Sequence, residues 1–318
     1  MDPPTGRPEM KQFRINVTDF TLDDFRNYLK FLPPVSISEE ARGRLNDSRR
    51  AFEDLLKQPD VTIYGVHTGF GKLGNVRIED DEHAVLQRNL VRSHAVGVGP
   101  PLEPDAVRLT LLLKVISLCQ GYSGVRPEVV DLLVACLNGD ALPVVPSQGS
   151  VGASGDLAPL AHVALALMGE GDMRLAGEQM PAARALKQLG LTHLEYEAKE
   201  GLSLLNGTQL STAVGILALG RLQNLVKAAD IVGALSLDGL MGSPRPFRPE
   251  VHALKRHGGQ QASAANLYSL MQGSTIRESH REDAGVVQDM YSMRCMPQVH
   301  GACRESLTFA GEQLILEA

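Results

Sequence analysis

The stretch GSVGASGDL, residues Gly149–Leu157, surrounds one serine with small residues and stands directly before a long apolar segment. It ends a loop, LPVVPSQGSVGASGD, in which proline, glycine and serine recur, a composition typical of turns and loops. The segment from Leu157 to Met168 is apolar nearly all round, which predicts a helix buried on every side. We therefore expect a loop that ends at the N-terminus of a core helix, with Asp156 as its N-cap.

Ser154 admits two chemical interpretations besides a simple loop. A hydrolase nucleophile elbow, G-x-S-x-G, is disfavoured because Asp156 stands where the second glycine should be and no clear strand precedes the serine. Cyclisation explains each residue: the Gly155 nitrogen attacks the Ala153 carbonyl carbon, and two waters leave, one of them with the Ser154 hydroxyl. Glycine suits position 155 because it has no side chain to crowd the attacking nitrogen. The product is a strong electrophile, which the standard side chains do not offer.

Helical patterns dominate the rest of the chain. Helix starts and stops are marked by Pro-Asp at 104–105, by Pro127 and by Asn138-Gly139. The predicted elements are helices over 104–119, 127–138 and 208–237 and a small hairpin over 173–182 around Gly177. These patterns indicate a mainly α fold.

The last predicted helix begins near Asp283 and runs to Ala318 with no glycine, asparagine or proline to stop it. A helix that ends without a capping residue suggests that the helix would continue in a longer chain. We therefore expect a chain that is truncated at its C-terminus. Near residue 200 the loop-rich sequence gives way to long helices. This change predicts a head domain, 1–203, that bears the Ala-Ser-Gly loop, and the first part of a truncated helical bundle, 204–318.

The composition disfavours several classes of function. The 318 residues include 31 basic and 37 acidic side chains, and the net charge of −6 argues against a nucleic-acid partner. Tryptophan is absent and aromatic residues make up 4%, so base-stacking platforms are not expected. The longest uncharged apolar stretch, Leu157 to Gly169, is too short to cross a bilayer, and the N-terminus shows no signal-peptide pattern. The four cysteines include no C-x-x-C pair. Together these features predict a reduced, cytoplasmic protein.

Neither a nucleotide nor a metal site is predicted. The segment Gly69-x-Gly71-x-x-Gly74 matches a dinucleotide fingerprint, but no helix opens at Gly74, and His94 stands about twenty residues on, where an acid is required. No cysteine or carboxylate cluster accompanies the histidines that could start a metal site, His162, His252 and His257.

The stretch from Gly149 to Leu160 is similar throughout to the signature of the ammonia-lyases that carry a methylidene-imidazolone group. Three more segments resemble motifs of the same family: YGVHTGFG at 64–71, LLNGTQ at 204–209 and QDMYSMRC at 288–295. The resemblance covers nearly the whole chain. It implies the ammonia-lyase fold, which is fumarase/aspartase-like, with a loop-rich head and a long-helix bundle that is incomplete in this chain.

The resemblance also implies a cofactor and a partner. Ala153, Ser154 and Gly155 would cyclise autocatalytically into the methylidene-imidazolone group, with Asp156 assisting its maturation and with no metal or nucleotide cofactor. Family enzymes are homotetramers whose sites combine tyrosine-loop and arginine residues from different subunits. Family chains also continue beyond the end of this one and contribute a phenylalanine and a glutamate that have no counterpart here.

The remaining site residues follow from the same resemblance. Tyr64 is the catalytic base or proton carrier near the β-carbon of the substrate, and Asn206 hydrogen-bonds the substrate or the prosthetic ring. Gln288 and Tyr291 line the ring and the amine, and Arg294 binds the carboxylate, which a planar guanidinium can hold through two hydrogen bonds. If this segment is helical, Gln288, Tyr291 and Arg294 recur every three residues and share roughly one face.

Ser93-His94 indicates the substrate. At this position aromatic ammonia-lyases resemble Phe-Leu or His-Leu, and histidine ammonia-lyases resemble Ser-His. His94 can hydrogen-bond an imidazole nitrogen, and such a contact discriminates strongly because an analogue without the partner leaves a buried group unpaired. The resemblance therefore implies elimination of ammonia from L-histidine to give trans-urocanate. Two alternatives stay open: an aromatic amino acid ammonia-lyase or aminomutase, and a catalytically incomplete fragment that only folds and oligomerises.

Overall fold

The computed structural model of the chain describes residues 12–17, 19–58, 60–279, 281 and 287–318, and these residues are mainly helical. The α-helices are α1 (Leu22–Phe31), α2 (Glu39–Leu56), α3 (His83–His94), α4 (Pro104–Cys119), α5 (Pro127–Asn138), α6 (Leu157–Leu167), α7 (Ala182–Gln188), α8 (Glu200–Leu205), α9 (Gln209–Gly239), α10 (Pro249–His252), α11 (Gly258–Leu270), α12 (Thr275–Ser279), α13 (Tyr291–Arg294) and α14 (Met296–Glu317). The strands are β1 (Phe13–Ile15), β2 (Val35–Ile37), β3 (Val98–Pro101), β4 (Ala141–Pro143), β5 (Pro146–Gln148), β6 (Asp172–Leu175) and β7 (Glu178–Pro181). The mainly α fold class is confirmed.

The strands pair in small sheets. β1 and β2 are parallel, with Phe13 opposite Val35, whereas β3 and β5 are antiparallel. A third sheet has the order β4-β6-β7 and is antiparallel throughout. The β6–β7 connection passes through Ala176 and Gly177, both with positive φ, which confirms the predicted hairpin.

The helices α4 and α5 confirm the boundaries predicted from their prolines. Pro104 and Pro127 each occupy the first turn, where a missing N–H breaks no helical hydrogen bond and the fixed φ suits the helix. Nearly every residue of α4 is buried, including the charged Lys114. This helix therefore lies in the core rather than at the surface.

The helix α6 is buried nearly all round, as predicted. The expectation of a strand-free loop before it is wrong, because β4 and β5 both lie there. β4 pairs with β6, and β5 pairs with β3, whose first residue is Val98. Each strand has three residues and is stabilised by a partner distant in sequence, so local composition does not reveal it.

The chain divides into two compact units. The first comprises residues up to Val214 together with Glu317 and Ala318, and the second comprises Gly215–Leu316. The domain boundary predicted at residue 203 stays a prediction. The long helix predicted from Thr208 to Leu237 is confirmed by α9.

The second unit has its own apolar core and a buried polar network. The core residues are Ala234, Leu237, Phe247, Leu267, Met271 and Met296. The carboxylate of Asp230 is buried and accepts hydrogen bonds from Asn266, His300 and Arg304. Burial alone would raise the pKa of Asp230, but these donors hold it below the ordinary value. The helices α11 and α14 approach closely near this network. A side chain at Gly301 would collide with the Gln260 backbone, so glycine is required there.

The C-terminal helix differs from its prediction. Its predicted start, Asp283, lies outside the described residues, and residues 287–290 are not helical. The helical segments are α13 and α14, with Cys295 between them. Met290 has an extended backbone, φ −62° and ψ 153°, which separates α13 from the preceding residues. In the described part of the chain, no helix is long and apolar enough to cross a membrane.

Candidate active site

The Ala-Ser-Gly triplet forms a tight turn in the first unit. Gly152 and Gly155 face each other across an antiparallel bridge, so Ala153 and Ser154 form the tip between them. Ser154 has φ +78° and Gly155 has φ +84°, both in the left-handed region. A non-glycine residue in that region is uncommon and is strained relative to ordinary backbone. The turn therefore holds the two peptide groups of the triplet folded back on each other.

Gly155 is packed against a second turn, at the junction of α8 and α9. Gly155 and Gly207 form a parallel bridge, and the Asp156 N–H donates to the Gly207 carbonyl oxygen over 2.8 Å. A Cβ atom on Gly155 would collide with that carbonyl oxygen. Only glycine fits here, for a reason that the sequence alone does not show.

Asp156 stabilises the base of the loop. Its carboxylate is 1% exposed and accepts three hydrogen bonds: from Ser150 Oγ at 2.7 Å, from Ser211 N at 2.8 Å and from Ser211 Oγ at 2.6 Å. Its backbone occupies the N-cap position of α6, but its side chain makes no capping hydrogen bond to that helix. The predicted cap is therefore corrected: the carboxylate accepts an N–H of the first turn of α9 instead, because the loop faces that helix.

Tyr64 is oriented by its own glycine-rich loop. The Gly71 N–H donates to the Tyr64 hydroxyl over 2.8 Å, and the ring packs edge-on against Phe70 with centroids 5.9 Å apart. The side chain is 55% exposed, so its ring edge is accessible. Gly71–Leu73 is a single 3-10 turn, and residues 74–79 are not helical, which confirms that the formal dinucleotide fingerprint opens no helix.

His94 ends α3 with one ring nitrogen already bonded. Its Nδ1 lies 2.9 Å from the Leu90 carbonyl oxygen and 3.0 Å from Ser93 Oγ. A carbonyl only accepts, so Nδ1 carries the proton, and in the neutral ring Nε2 is the acceptor. Shortly after His94 in the chain, Gly97 donates its backbone N–H to His162 Nε2 over 3.0 Å. Burial lowers the pKa of His162. The segment after His94 is thereby attached to α6.

Asn206 occupies the turn that faces Gly155. Its side-chain Nδ2 donates to the Leu202 carbonyl oxygen over 2.8 Å, which directs the amide along α8. Its backbone carbonyl oxygen accepts a 2.6 Å hydrogen bond from Lys114 Nζ. Lys114 was not predicted from the sequence as a site residue. The signal available was a single lysine within the otherwise uncharged run LTLLLKVISL of α4.

The other predicted residues lie in the second unit. Gln288 and Arg294 line a cavity of about 610 Å³ that also includes Arg245 and Arg281. Tyr291 is 74% exposed, and its ring carries the Arg294 guanidinium at 4.8 Å from the ring centroid. The Arg294 Nε is buried and has no hydrogen-bond acceptor among the residues that the structure describes. A buried donor without a partner is costly, and a carboxylate ligand would satisfy it.

The predicted common face of Gln288, Tyr291 and Arg294 is partly wrong. Tyr291 and Arg294 share the single turn of α13, but Gln288 precedes it in non-helical backbone. The cause is a contact with a residue distant in sequence: the Asp289 carboxylate accepts the Ser243 N–H over 2.7 Å and holds the chain away from a continuous helix. The described residues include no group of three or more histidine, cysteine, aspartate or glutamate side chains arranged to hold a metal ion.

The sequence profile of the aromatic amino acid lyase family matches residues 20–318 of this chain. The chain belongs to that family. A curated histidine ammonia-lyase from Sorangium cellulosum is 51% identical to this lyase-family chain over 286 residues, which are 89% of this chain and 55% of that protein. The chain thus spans little more than half the length of this curated relative.

Solved structures confirm that this member of the aromatic amino acid lyase family has the ammonia-lyase fold. Histidine ammonia-lyase from Trypanosoma cruzi matches with a TM-score of 0.83 at 33% identity, over 96% of this chain and 56% of that one. Tyrosine aminomutase from Streptomyces globisporus matches with a TM-score of 0.87 at 35% identity, over 96% of this chain and 61% of that one. The fold is therefore common to members that are named for different reactions.

Proposed function

We propose that the protein that carries this chain is a histidine ammonia-lyase, which eliminates ammonia from L-histidine to give trans-urocanate. The observation that carries the proposal is the turn at Ala153–Gly155, with a serine at its tip and a glycine that nothing else could replace. Identity of 51% to a histidine ammonia-lyase supports the choice of substrate. Because the chain spans 55% of that relative, the activity is proposed for the whole protein.

The turn fits the methylidene-imidazolone group. Cyclisation joins the Gly155 nitrogen to the Ala153 carbonyl carbon, which requires a folded-back triplet, and the bridge between Gly152 and Gly155 supplies that shape. Gly207 and Asp156 would then hold the ring from the side of α9. When formed, the group supplies an electrophilic carbon, derived from the Ser154 side chain, to which the substrate adds. We propose no metal and no nucleotide in this reaction.

Tyr64 is proposed to move the β-proton of the substrate. Its hydroxyl oxygen accepts the Gly71 N–H over 2.8 Å, which positions the oxygen. Exposure of the ring leaves room for a substrate beside it. This hydrogen bond uses one acceptor position of the hydroxyl oxygen and leaves another for a proton of the substrate.

His94 is proposed to recognise the imidazole ring. Since its Nδ1–H is used by Leu90, its Nε2 is the acceptor that remains for an N–H of the substrate. A phenyl or phenol ring offers no N–H, so binding an aromatic substrate would leave this acceptor without its partner. The structural likeness to a tyrosine aminomutase supports the alternative of an aromatic substrate. The acceptor on His94 disfavours that alternative.

Arg294 is proposed to bind the substrate carboxylate, with Asn206 as a further donor and with Gln288 and Tyr291 beside the ring and the amine. The unsatisfied Nε of Arg294 supports its role, because a guanidinium binds a carboxylate through two parallel N–H groups. These assignments rest on the chemistry of each side chain and on the family resemblance. Asp156 is proposed to support maturation through the contacts that fix the loop.

We also propose a homotetramer, in which residues such as Tyr64 and Arg294 come from different subunits. One face of α9 is apolar and exposed in the single chain, and its residues are Leu222, Leu225, Val232 and Leu235. They recur at helical spacing, as in a helix that packs against another. A cytoplasmic location is proposed from the composition and from the four free cysteines.

Product analysis tests the proposed function. The protein is incubated separately with L-histidine, L-phenylalanine and L-tyrosine, and the products are identified by chromatography and mass spectrometry. We expect urocanate and ammonia from histidine and little product from the other two. Cinnamate or coumarate as the main product would reassign the chain to the aromatic ammonia-lyases, and a β-amino acid would reassign it to the aminomutases.

A further inference from the structure

Lys114 is a buried lysine whose amino group has no carboxylate partner among the described residues. It lies within α4, between Leu113 and Val115, and only 2% of it is exposed. Burial alone lowers the pKa of Lys114 to about 7, since no neighbouring charge contributes to the shift. A buried lysine of this kind costs stability, so a purely structural role would be better served by an apolar side chain of the same length.

Among the described residues, the hydrogen bonds of Lys114 go to the turn that faces the triplet. Its Nζ donates to the Asn206 carbonyl oxygen over 2.6 Å and approaches Gln209 Oε1 at 3.4 Å. The next carbonyl, that of Gly207, accepts the Asp156 N–H. Two consecutive carbonyl groups of one turn are therefore fixed, one by Lys114 and one by the residue that follows the triplet.

We infer that Lys114 is a positioning residue for maturation of the prosthetic group. It fixes the Asn206–Gly207 turn, and Gly155 packs against that turn. The inference rests on the proposed function. Lys114 touches no reacting atom; it acts through the Asn206 carbonyl oxygen. Without that hydrogen bond the Asn206 peptide can rotate, and the Gly207 oxygen, which meets both Gly155 and the Asp156 N–H, moves with it.

The covalent step is sensitive to such a movement. The Gly155 nitrogen forms a bond to the Ala153 carbonyl carbon, and its proton moves to the carbonyl oxygen. That oxygen leaves as water with the proton of the Ser154 amide, and the Ser154 hydroxyl leaves as a second water with the Cα proton. No oxidant or reductant is needed. A misplacement of about 1 Å costs on the order of 10²-fold in rate when reacting atoms must meet at contact distance.

The test follows maturation directly, by the intact mass of the full chain at intervals after cell-free synthesis. In the unsubstituted protein we expect a loss of two waters, about 36 Da. For Lys114→Met we expect the rate of this loss to fall by about tenfold to a hundredfold, with a melting temperature equal to or above that of the unsubstituted protein. For Lys114→Arg, which retains an N–H donor, we expect a rate clearly faster than that of Lys114→Met.

Lys199→Met is the matched control. Lys199 is a half-buried lysine whose pKa is also lowered by burial, but its Nζ donates to the Ser123 carbonyl oxygen over 2.8 Å, away from the triplet. We expect Lys199→Met to mature at the unsubstituted rate. A slow Lys199→Met would overturn the inference, since loss of any buried lysine would then suffice.

The remaining outcomes separate this inference from the proposed function. If the unsubstituted protein never loses two waters, the prosthetic group itself is refuted. If it loses them and Lys114→Met does so at the same rate, only the role of Lys114 is refuted. Loss of cooperative melting in Lys114→Met would also overturn the inference, because Lys114 would then be a structural residue.

Discussion

The loop at 149–157 and the segment at 288–294 differ in how their polar groups are satisfied. In the loop, the Asp156 carboxylate is buried and accepts three hydrogen bonds from serine residues. In the segment, Arg294 stacks on an exposed tyrosine, and its buried Nε has no acceptor among the described residues. The first region is complete without a ligand, whereas the second retains an unsatisfied donor.

This difference matches the two tasks that the proposed reaction sets. A reactive group built from the backbone must be formed and held by the protein alone, which requires that every neighbouring polar group already has its partner. A carboxylate-binding residue must instead keep its donors free until the substrate arrives. Substitutions in the two regions should therefore have different effects. Those in the loop should impair maturation of the prosthetic group, and those in the segment should impair substrate binding.

The largest effect is expected from Ser154→Ala. Without a hydroxyl to eliminate, the triplet cannot form the electrophile, so urocanate formation should fall to the background rate while the protein still folds. Ser147→Ala, which removes an exposed hydroxyl from β5, is the control and should keep its activity. Substantial activity in Ser154→Ala, measured by urocanate absorbance, would show that the loop is not the source of the chemistry.

The second largest effect is expected from Arg294→Met. Removing a charged hydrogen-bond partner of the substrate carboxylate should lower kcat/KM by about 10²-fold. The mass of the prosthetic loop should not change, because Arg294 lies in the second unit. Arg281→Met is the control, since Arg281 lines the same cavity but pairs with Glu278. Equal losses in both variants would mean that the cavity needs positive charge in general rather than Arg294.

A smaller effect is expected from His94→Leu. Loss of one buried hydrogen bond should cost histidine on the order of 1–3 kcal/mol of transition-state stabilisation relative to phenylalanine. The ratio of the two kcat/KM values measures it. Ser93→Ala, which changes the neighbouring hydroxyl but keeps the imidazole, should shift the ratio less. An unchanged ratio in His94→Leu would remove the basis for choosing histidine as substrate.

The smallest effect concerns pH and His162. Its folded pKa lies below the unfolded value of about 6.5, so the unfolded chain binds more protons below that pH. Stability should therefore be independent of this group above about pH 6.5 and should fall below it, by at most about 1.4 kcal/mol per pH unit. Denaturant unfolding between about pH 7 and 5 should show a weaker slope in His162→Gln.

The exposed His257, which pairs with Glu305, provides the comparison for that measurement. The loss of pH slope should be larger in His162→Gln than in His257→Gln. If His162→Gln retains the slope of the unsubstituted protein, the acid sensitivity has another source, and the hydrogen bond from Gly97 to His162 does not weaken in this range.

Local signals in the sequence predicted the helices, because prolines in first turns and apolar periodicity act within one element. They also identified the triplet and its glycine. They did not predict that Asp156 would accept hydrogen bonds from α9, that Lys114 would reach the Asn206 carbonyl, or that β4 and β5 would interrupt the loop. Each of these depends on a partner more than 25 residues away. Gln288 was misplaced for a similar reason, since the distant Ser243 fixes Asp289.

The most direct test of the central claim is the mass of the peptide that contains Ala153–Gly155, isolated by proteolysis from folded, active protein. The account predicts a mass about 36 Da below that of the encoded sequence, with the loss confined to this peptide. The peptide from Ser154→Ala should have its full encoded mass. A full mass for the native peptide, in protein that melts cooperatively and forms urocanate, would contradict the account.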